Sequence, residues 1–183
     1  MGRPNILALA VSLGWCSLLP GCETTDIGAP CNHGPAEPSE ALTVTFPALS
    51  CNELVCVYSD KQEPPEGSCE AHADCNEPGT TEAPFRCEEG RCRLSPEHIL
   101  QKSMCSEFCT EDADCADADP TTKCATGFAC LPPQDLGPYC CQPMCLCRDD
   151  LDLATALDRK AECDAGTHAG CCQGDDKPAT CGP

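Results

Sequence analysis

The chain has 183 residues, of which 22 are cysteine, and its 30 acidic side chains against 11 Lys and Arg give a net charge of −19. A cysteine share above roughly 8–10% in a short chain marks a disulfide scaffold, which persists only in an oxidising compartment, so a cytosolic location is excluded. The pI of about 4.3 excludes nucleic acid and anionic lipid headgroups as partners of the chain as a whole, because phosphate binding needs clustered Lys and Arg.

Residues 1–21 read as a lipoprotein signal peptide. A single positive charge at Arg3 precedes an apolar run from Ile6 to Leu19, broken by Ser12, Gly14 and Ser17. That run is too short for a bilayer-spanning helix, which needs about 20 apolar residues. It ends in Leu19-Pro20-Gly21-Cys22, the layout of a bacterial lipobox, with an aliphatic residue at −3, a small one at −1 and the cysteine that becomes the first mature residue. The Cys22 thiolate is the nucleophile that would take up the lipid, so Cys22 is the expected lipidation site and residues 22–30 an anchor and linker. Parity agrees. Losing Cys16 with the signal and acylating Cys22 leaves twenty cysteines, an even number for ten bridges, whereas a bridged Cys22 would leave one cysteine over.

Residues 31–68 form an N-terminal cysteine region holding Cys31, Cys51 and Cys56, in which the β-rich runs 42–46 and 53–58 are predicted to pair as a loose hairpin. Three is odd, so at least one of these cysteines must bridge to Cys105 or to the tail. Module one follows over 69–92 as Cys69-x5-Cys75-x11-Cys87-x4-Cys92. A linker over 93–108 carries a predicted helix opening at Ser95-Pro96-Glu97, with Ser as N-cap, Pro at the first helical position, and Ile99, Leu100 and Met104 on one side. Module two over 109–130 reads Cys109-x5-Cys115-x8-Cys124-x5-Cys130 and shares with module one an Ala-Asp-Cys at the second cysteine. The two are a duplicated unit, each expected to close two bridges of its own, although four cysteines allow three connectivities and the spacing selects none.

The cysteine-rich tail over 131–183 carries a predicted helix at about 149–162, with Asp149, Asp150 and Asp152 in its first turn, Arg159 and Lys160 in its last, and a stripe of Leu153, Leu157 and Ala161 covering disulfides. Cys140-Cys141 and Cys171-Cys172 need partners elsewhere, because adjacent cysteines cannot reach relaxed disulfide geometry. From Cys22 onward, Leu, Ile, Val and Phe number 20 of 162 residues and the net charge is −20, a composition that is ordinarily unfolded. The expected fold is therefore small and disulfide-rich, mostly irregular, with short β-hairpins, one or two short helices and little hydrophobic core.

Glu107, Glu111, Asp112, Asp114, Asp117 and Asp119 crowd together without a base. Alternating oxygen ligands suit Ca2+, which makes Asp112, Asp114, Asp117 and Asp119 a weak calcium candidate beside the plainer reading of a solvated acidic face. The EF-hand pattern itself fails, since Asp117 and Lys123 stand where its Gly and Glu belong. The cysteine clusters invite a metal reading, but His33, His72, His98 and His168 are scattered and no Zn-type pair of Cys-x2-Cys knuckles occurs. No Gly-x-Ser-x-Gly, His-Glu-x-x-His, phosphate loop or Cys-x-x-Cys redox motif is present, so no catalytic residue is assigned and the chain is expected not to be an enzyme.

The lipobox, Thr25-Asp26-Ile27-Gly28-Ala29-Pro30-Cys31, Ser50-Cys51-Asn52-Glu53-Leu54-Val55-Cys56-Val57 and the Asp-Cys modules together resemble the small cysteine-rich lipoproteins of myxobacteria. Over about residues 20 to 75 the chain is similar to the adventurous gliding motility lipoproteins. The resemblance implies anchoring at the bacterial outer membrane, disulfides, a part in an envelope-spanning assembly of envelope or surface proteins, and no catalytic residues. The expected function is that of a non-enzymatic envelope lipoprotein acting by protein contact, in gliding motility or surface adhesion. The alternative is a surface-exposed calcium- or ligand-binding module centred on residues 107 to 119.

Overall fold

The computed structural model describes residues 27–34, 42–51, 55–79, 83–116, 118, 122–135, 137, 139–172 and 181. The predicted signal segment, the expected lipidation site Cys22, and Asp117 and Asp119 of the calcium candidate lie outside the described residues. The strands are β1 (Leu42–Thr45), β2 (Val55–Ser59), β3 (Phe85–Glu88), β4 (Arg91–Leu94), β5 (Ser103–Ser106), β6 (Phe128–Leu131) and β7 (Met144–Cys147), with helices α1 (Pro96–Lys102) and α2 (Leu153–Asp164). Ten disulfides join all twenty cysteines from Cys31 to Cys181, so the fold is small, disulfide-rich and mostly irregular.

The expected hairpin is present: β1 and β2 pair antiparallel with Val44 opposite Val57. It is completed by β5, which lies antiparallel to β2 with Cys56 opposite Cys105. The sheet order β1-β2-β5 makes β2 the central strand, buried along its whole length. Alternation along β2 then serves two faces. Val55 and Val57 join a small apolar cluster with Leu131, Met144, Leu146 and Ala156, whereas Cys56 packs with Cys31, Cys51 and Cys105. The odd front cysteine is Cys51, which bridges to Cys105, while Cys31 bridges to Cys56. The entering chain is clamped to β5 by Gly28 N–H to Cys105 O (2.8 Å) and Cys105 N–H to Ala29 O (2.7 Å). Gly28 has φ +83°, and a Cβ there would stand 2.7 Å from Thr122 Oγ1 and 2.9 Å from the Phe128 ring, so only glycine fits this approach.

Module one closes on itself through Cys69–Cys87 and Cys75–Cys92. Its β3 and β4 are joined by Glu89-Gly90, both at positive φ, the backbone that a two-residue hairpin turn requires. Module two does not close on itself. Only Cys109–Cys130 is internal; Cys115 bridges to Cys145 and Cys124 to Cys147, both in β7, so the unit runs to residue 147 rather than ending at 130. The strand registers give the reason. Phe85-Arg86-Cys87-Glu88 in β3 matches Phe128-Ala129-Cys130-Leu131 in β6, and Cys92, opposite Cys87, matches Cys145, opposite Cys130. The duplicated set is therefore Cys69, Cys75, Cys87, Cys92 against Cys109, Cys115, Cys130, Cys145. Cys124, which spacing aligned with Cys87, belongs to an added bridge. In module two residues 132–143 replace the two-residue turn and carry Cys140 and Cys141 to the tail.

Both helices differ from expectation on their inner faces. Ser95 Oγ accepts from His98 N–H (3.1 Å) and Pro96 opens α1, as predicted. The helix buries His98 and Ile99, however, while Leu100 is half-exposed and Met104 belongs to β5. The second helix starts at Leu153, because Asp152 caps it by accepting from the Ala154 and Thr155 N–H groups; Asp149 and Asp150 lie in a preceding 3-10 turn. Leu153 and Leu157 are exposed, and so is Ala161; the inward positions are Ala156, Arg159 and Cys163. The Cys141–Cys163 bridge and the Arg159–Asp135 ion pair set the rotation of α2, and these bonds outweigh burial of two leucines. Cys140–Cys171 and Cys172–Cys181 complete the tail, so no adjacent cysteines bond each other.

Candidate functional site

The acidic run was the first candidate. Asp114 Oδ2 accepts from Thr110 N–H (2.7 Å), Thr110 Oγ1 (2.8 Å) and Glu111 N–H (3.1 Å), which holds its carboxyl below the usual carboxylate range. Asp74 of module one does the same for Glu70 and Ala71 N–H. The shared Ala-Asp-Cys is thus a capping device for the 3-10 turns His72–Cys75 and Asp112–Cys115. Asp112 Oδ1 accepts from Cys130 N–H (2.9 Å) and its Oδ2 from Arg148 Nη2 (2.7 Å). His72, at the matching place in module one, accepts from Cys87 N–H through Nδ1 (3.2 Å). Asp112 and Asp114 are therefore each engaged with the chain itself. Glu107, whose carboxyl burial and the nearby Asp114 charge push up, adds no open ligand set.

A second group was not legible in the sequence, because it is assembled from distant segments. Asp60 after β2, His98 and Lys102 on one side of α1, Asp150 in the 3-10 turn and Tyr58 in β2 come together where the first sheet meets α1. Asp60 Oδ2 meets His98 Nε2 in a very short hydrogen bond between two buried side chains. Burial pushes Asp60 up, but the His98 hydrogen bond, the Gln62 N–H and the His98 and Lys102 charges outweigh it and leave the carboxyl below its usual value. Lys102 Nζ donates to Asp150 Oδ1 at 2.6 Å. Burial of Asp150 wins there, and its carboxyl is raised despite the lysine. Tyr58 Oη has no partner among the described residues; burial and the Asp60 and Asp150 charges drive its pKa far upward. The one sequence signal was the i, i+4 spacing of His98 and Lys102.

These groups do not assemble a nucleophile with a base. No hydroxyl or thiol is bonded to the His98 ring among the described residues. His33 lies 3.1 Å from Ser103 Oγ through Nε2, but Ser103 donates its only proton to Ile99 O (2.6 Å). His33 Nε2 must then donate to Ser103, and its Nδ1 lies 2.7 Å from Thr45 Oγ1; burial lowers its pKa, and the ring is a structural link between β1 and β5. His168 accepts from Gly170 N–H and lies 3.4 Å from Asp135, whose carboxyl the Arg159 hydrogen bond holds low. Cysteine groups such as Cys69, Cys75 and Cys92 bring sulfurs close enough to share an ion, but every one of these sulfurs is in a disulfide and offers no thiolate.

The described surface also presents apolar side chains. Leu49 is fully exposed and Phe46, three residues before it, is 54% exposed; Leu100, Phe108, Leu153 and Leu157 are likewise open. Phe108 lies beside Tyr139 with ring centroids 6.2 Å apart. No protein-family model matches the chain, and no curated protein or solved structure is detectably similar to it.

Proposed function

We propose that the chain is a non-enzymatic lipoprotein of the bacterial envelope, held at the outer membrane through lipid on Cys22, which acts by protein contact with envelope or surface proteins. The observation that carries the anchor is covalent: all twenty cysteines after Cys22 pair among themselves, which leaves none of them for Cys22. The contact role draws support from the open apolar side chains on a body stiffened by ten bridges, and from the use of the buried Asp and His groups as structural links. The resemblance of the front third to gliding motility lipoproteins makes gliding or surface adhesion the process in which such contact would serve.

The calcium alternative draws no support from Asp112 and Asp114, which bond to backbone N–H groups and Arg148. Two measurements test the proposal. Metabolic labelling with a palmitate analogue is expected to mark the wild-type protein and not Cys22→Ala; an unlabelled wild type overturns the anchor. Crosslinking and pull-down of the tagged protein from its own envelope is expected to recover protein partners, and recovery of none overturns the contact role.

A further inference from the structure

The two modules share a hairpin but use its outer face differently. In β6–β7 the side chains Ala129, Leu131, Met144 and Leu146 share one face, cross-paired as Ala129 with Leu146 and Leu131 with Met144. That face is buried against Val55 and Val57 of β2 and Ala156 of α2. It is where module two docks onto the rest of the chain. The matching positions of module one are Arg86, Glu88, Arg91 and Arg93, with Arg86 opposite Arg93 and Glu88 opposite Arg91. The other face of this hairpin is turned inward, with Phe85 and Leu94 packed against Tyr58 and Ile99. The arginine face is open: Arg93 and Glu88 are 50% and 42% exposed, and Arg91 is exposed in the wall of a cleft of about 500 Å³ that Pro64, Pro65, Glu66 and Gly67 also line.

Three of the eleven basic residues of a chain with charge −19 thus stand on one short hairpin face. Like charges set directly opposite each other across strands repel, and here carboxylates offset them: Glu88 Oε2 lies 3.2 Å from Arg86 Nη2 and 3.7 Å from Arg93 Nε, and Glu89 Oε2 lies 4.0 Å from Arg93 Nη2. Glu88 shows what the face accepts, a carboxylate seated between two guanidinium groups. Arg91 makes no ion pair among the described residues.

We propose that the outer face of β3–β4 is a docking surface for a carboxylate-rich segment of a partner protein, read by Arg91 and Arg93 with Arg86 behind them. This rests on the contact role proposed above and names the chemistry of the contact. The three arginines of the face select an acidic segment, and the matching side of module two, which is apolar, is covered by the rest of the chain.

The test is fluorescence anisotropy of a labelled oligoglutamate peptide titrated with the purified, oxidised full chain at low ionic strength. Salt-sensitive binding is expected, weakened about tenfold or more in Arg91→Glu/Arg93→Glu, already weakened in Arg91→Glu alone, and unchanged in Lys160→Glu, which makes the same charge change as that single variant on α2. Glu88→Gln is expected to tighten binding, because it removes the carboxylate that lies between Arg86 and Arg93; a purely structural face would show no gain. Near-UV circular dichroism and a free-thiol count confirm that each variant is folded. The proposal is overturned by absent binding in wild type, by equal loss in Lys160→Glu, by preference for phosphate-bearing vesicles over the peptide, or by an arginine-dependent dimer without peptide binding, which would make a second copy the occupant. A pull-down that recovers partners while the peptide fails removes this inference alone and leaves the contact role standing.

Discussion

Cys145 stands directly opposite Cys130 across β6 and β7, yet neither bonds the other: Cys130 reaches back to Cys109 and Cys145 to Cys115. The same crossed arrangement joins Cys87 to Cys69 and Cys92 to Cys75 in module one. Each hairpin is therefore sewn to the segment before it by two parallel links. Peptide mapping of an unreduced digest is expected to recover Cys115 linked to Cys145 and Cys124 linked to Cys147. A Cys115–Cys124 link, which would close module two on itself, would contradict this arrangement.

Cross-links carry most of the stability, since apolar residues are too few to do so. Reduction is expected to abolish near-UV circular dichroism and protease resistance together. Replacing both Cys51 and Cys105 with Ser is expected to cost about 2–4 kcal/mol in urea unfolding, because that bridge closes the longest loop of the ten, 54 residues apart. A reduced protein that keeps its near-UV signal would refute the claim.

The Asp60–His98 pair gives stability a defined acid limb. The folded-state value of Asp60 lies below its unfolded value of about 3.9, so its contribution is complete above that pH and is lost as pH falls through the lower folded value. Asp60→Asn is expected to destabilise by about 2 kcal/mol at neutral pH, the scale for a hydrogen bond to a charged group. Its difference from wild type should shrink in acid, as followed by urea midpoints across pH. A difference independent of pH would show that the carboxylate charge is not what matters.

Asp150 has the opposite sign. Burial raises its folded-state value, so its ionisation costs stability as pH climbs from about 3.9 toward that value, and Lys102 offsets part of the cost. Lys102→Met removes the offset. The variant is expected to lose about 1–3 kcal/mol at neutral pH and to recover part of it in mild acid, where Asp150 takes up a proton. Thermal melts at the two pH values check this, and a loss that deepens in acid would reverse the assignment.

Gly28 is crowded by its neighbours where Gly34 stands in open space. Gly28→Ala puts a methyl against Thr122 and Phe128 and forces a positive φ on an L side chain, for an expected loss of about 1–3 kcal/mol. Gly34, also at positive φ but with open space around it, should tolerate alanine with a smaller loss. Equal losses at both positions would mean that backbone conformation alone, and not the contact, is limiting.

Much of this protein is local and was readable as such. Cysteine parity left twenty cysteines for ten bridges and required at least one front cysteine to bridge outward, which the structure gives as Cys51; Ser95-Pro96 placed the start of α1; the runs at 42–46 and 53–58 contain most of β1 and β2. The repeat was visible because Ala-Asp-Cys is a local device, a side chain capping backbone N–H groups a few residues before it. What the sequence did not determine was pairing over distance. Spacing aligned Cys124 with Cys87, because it counts residues along the chain, whereas strand register decides which sulfurs meet, and residues 132–143 separate β6 from its partner. The same limit hid the Asp60, His98, Lys102 and Asp150 group and turned α2 so that Leu153 and Leu157 face outward. In a chain with so little apolar area, hydrophobic periodicity is a weak force, and covalent and ionic bonds between distant segments, which only the folded chain brings together, decide which faces are buried.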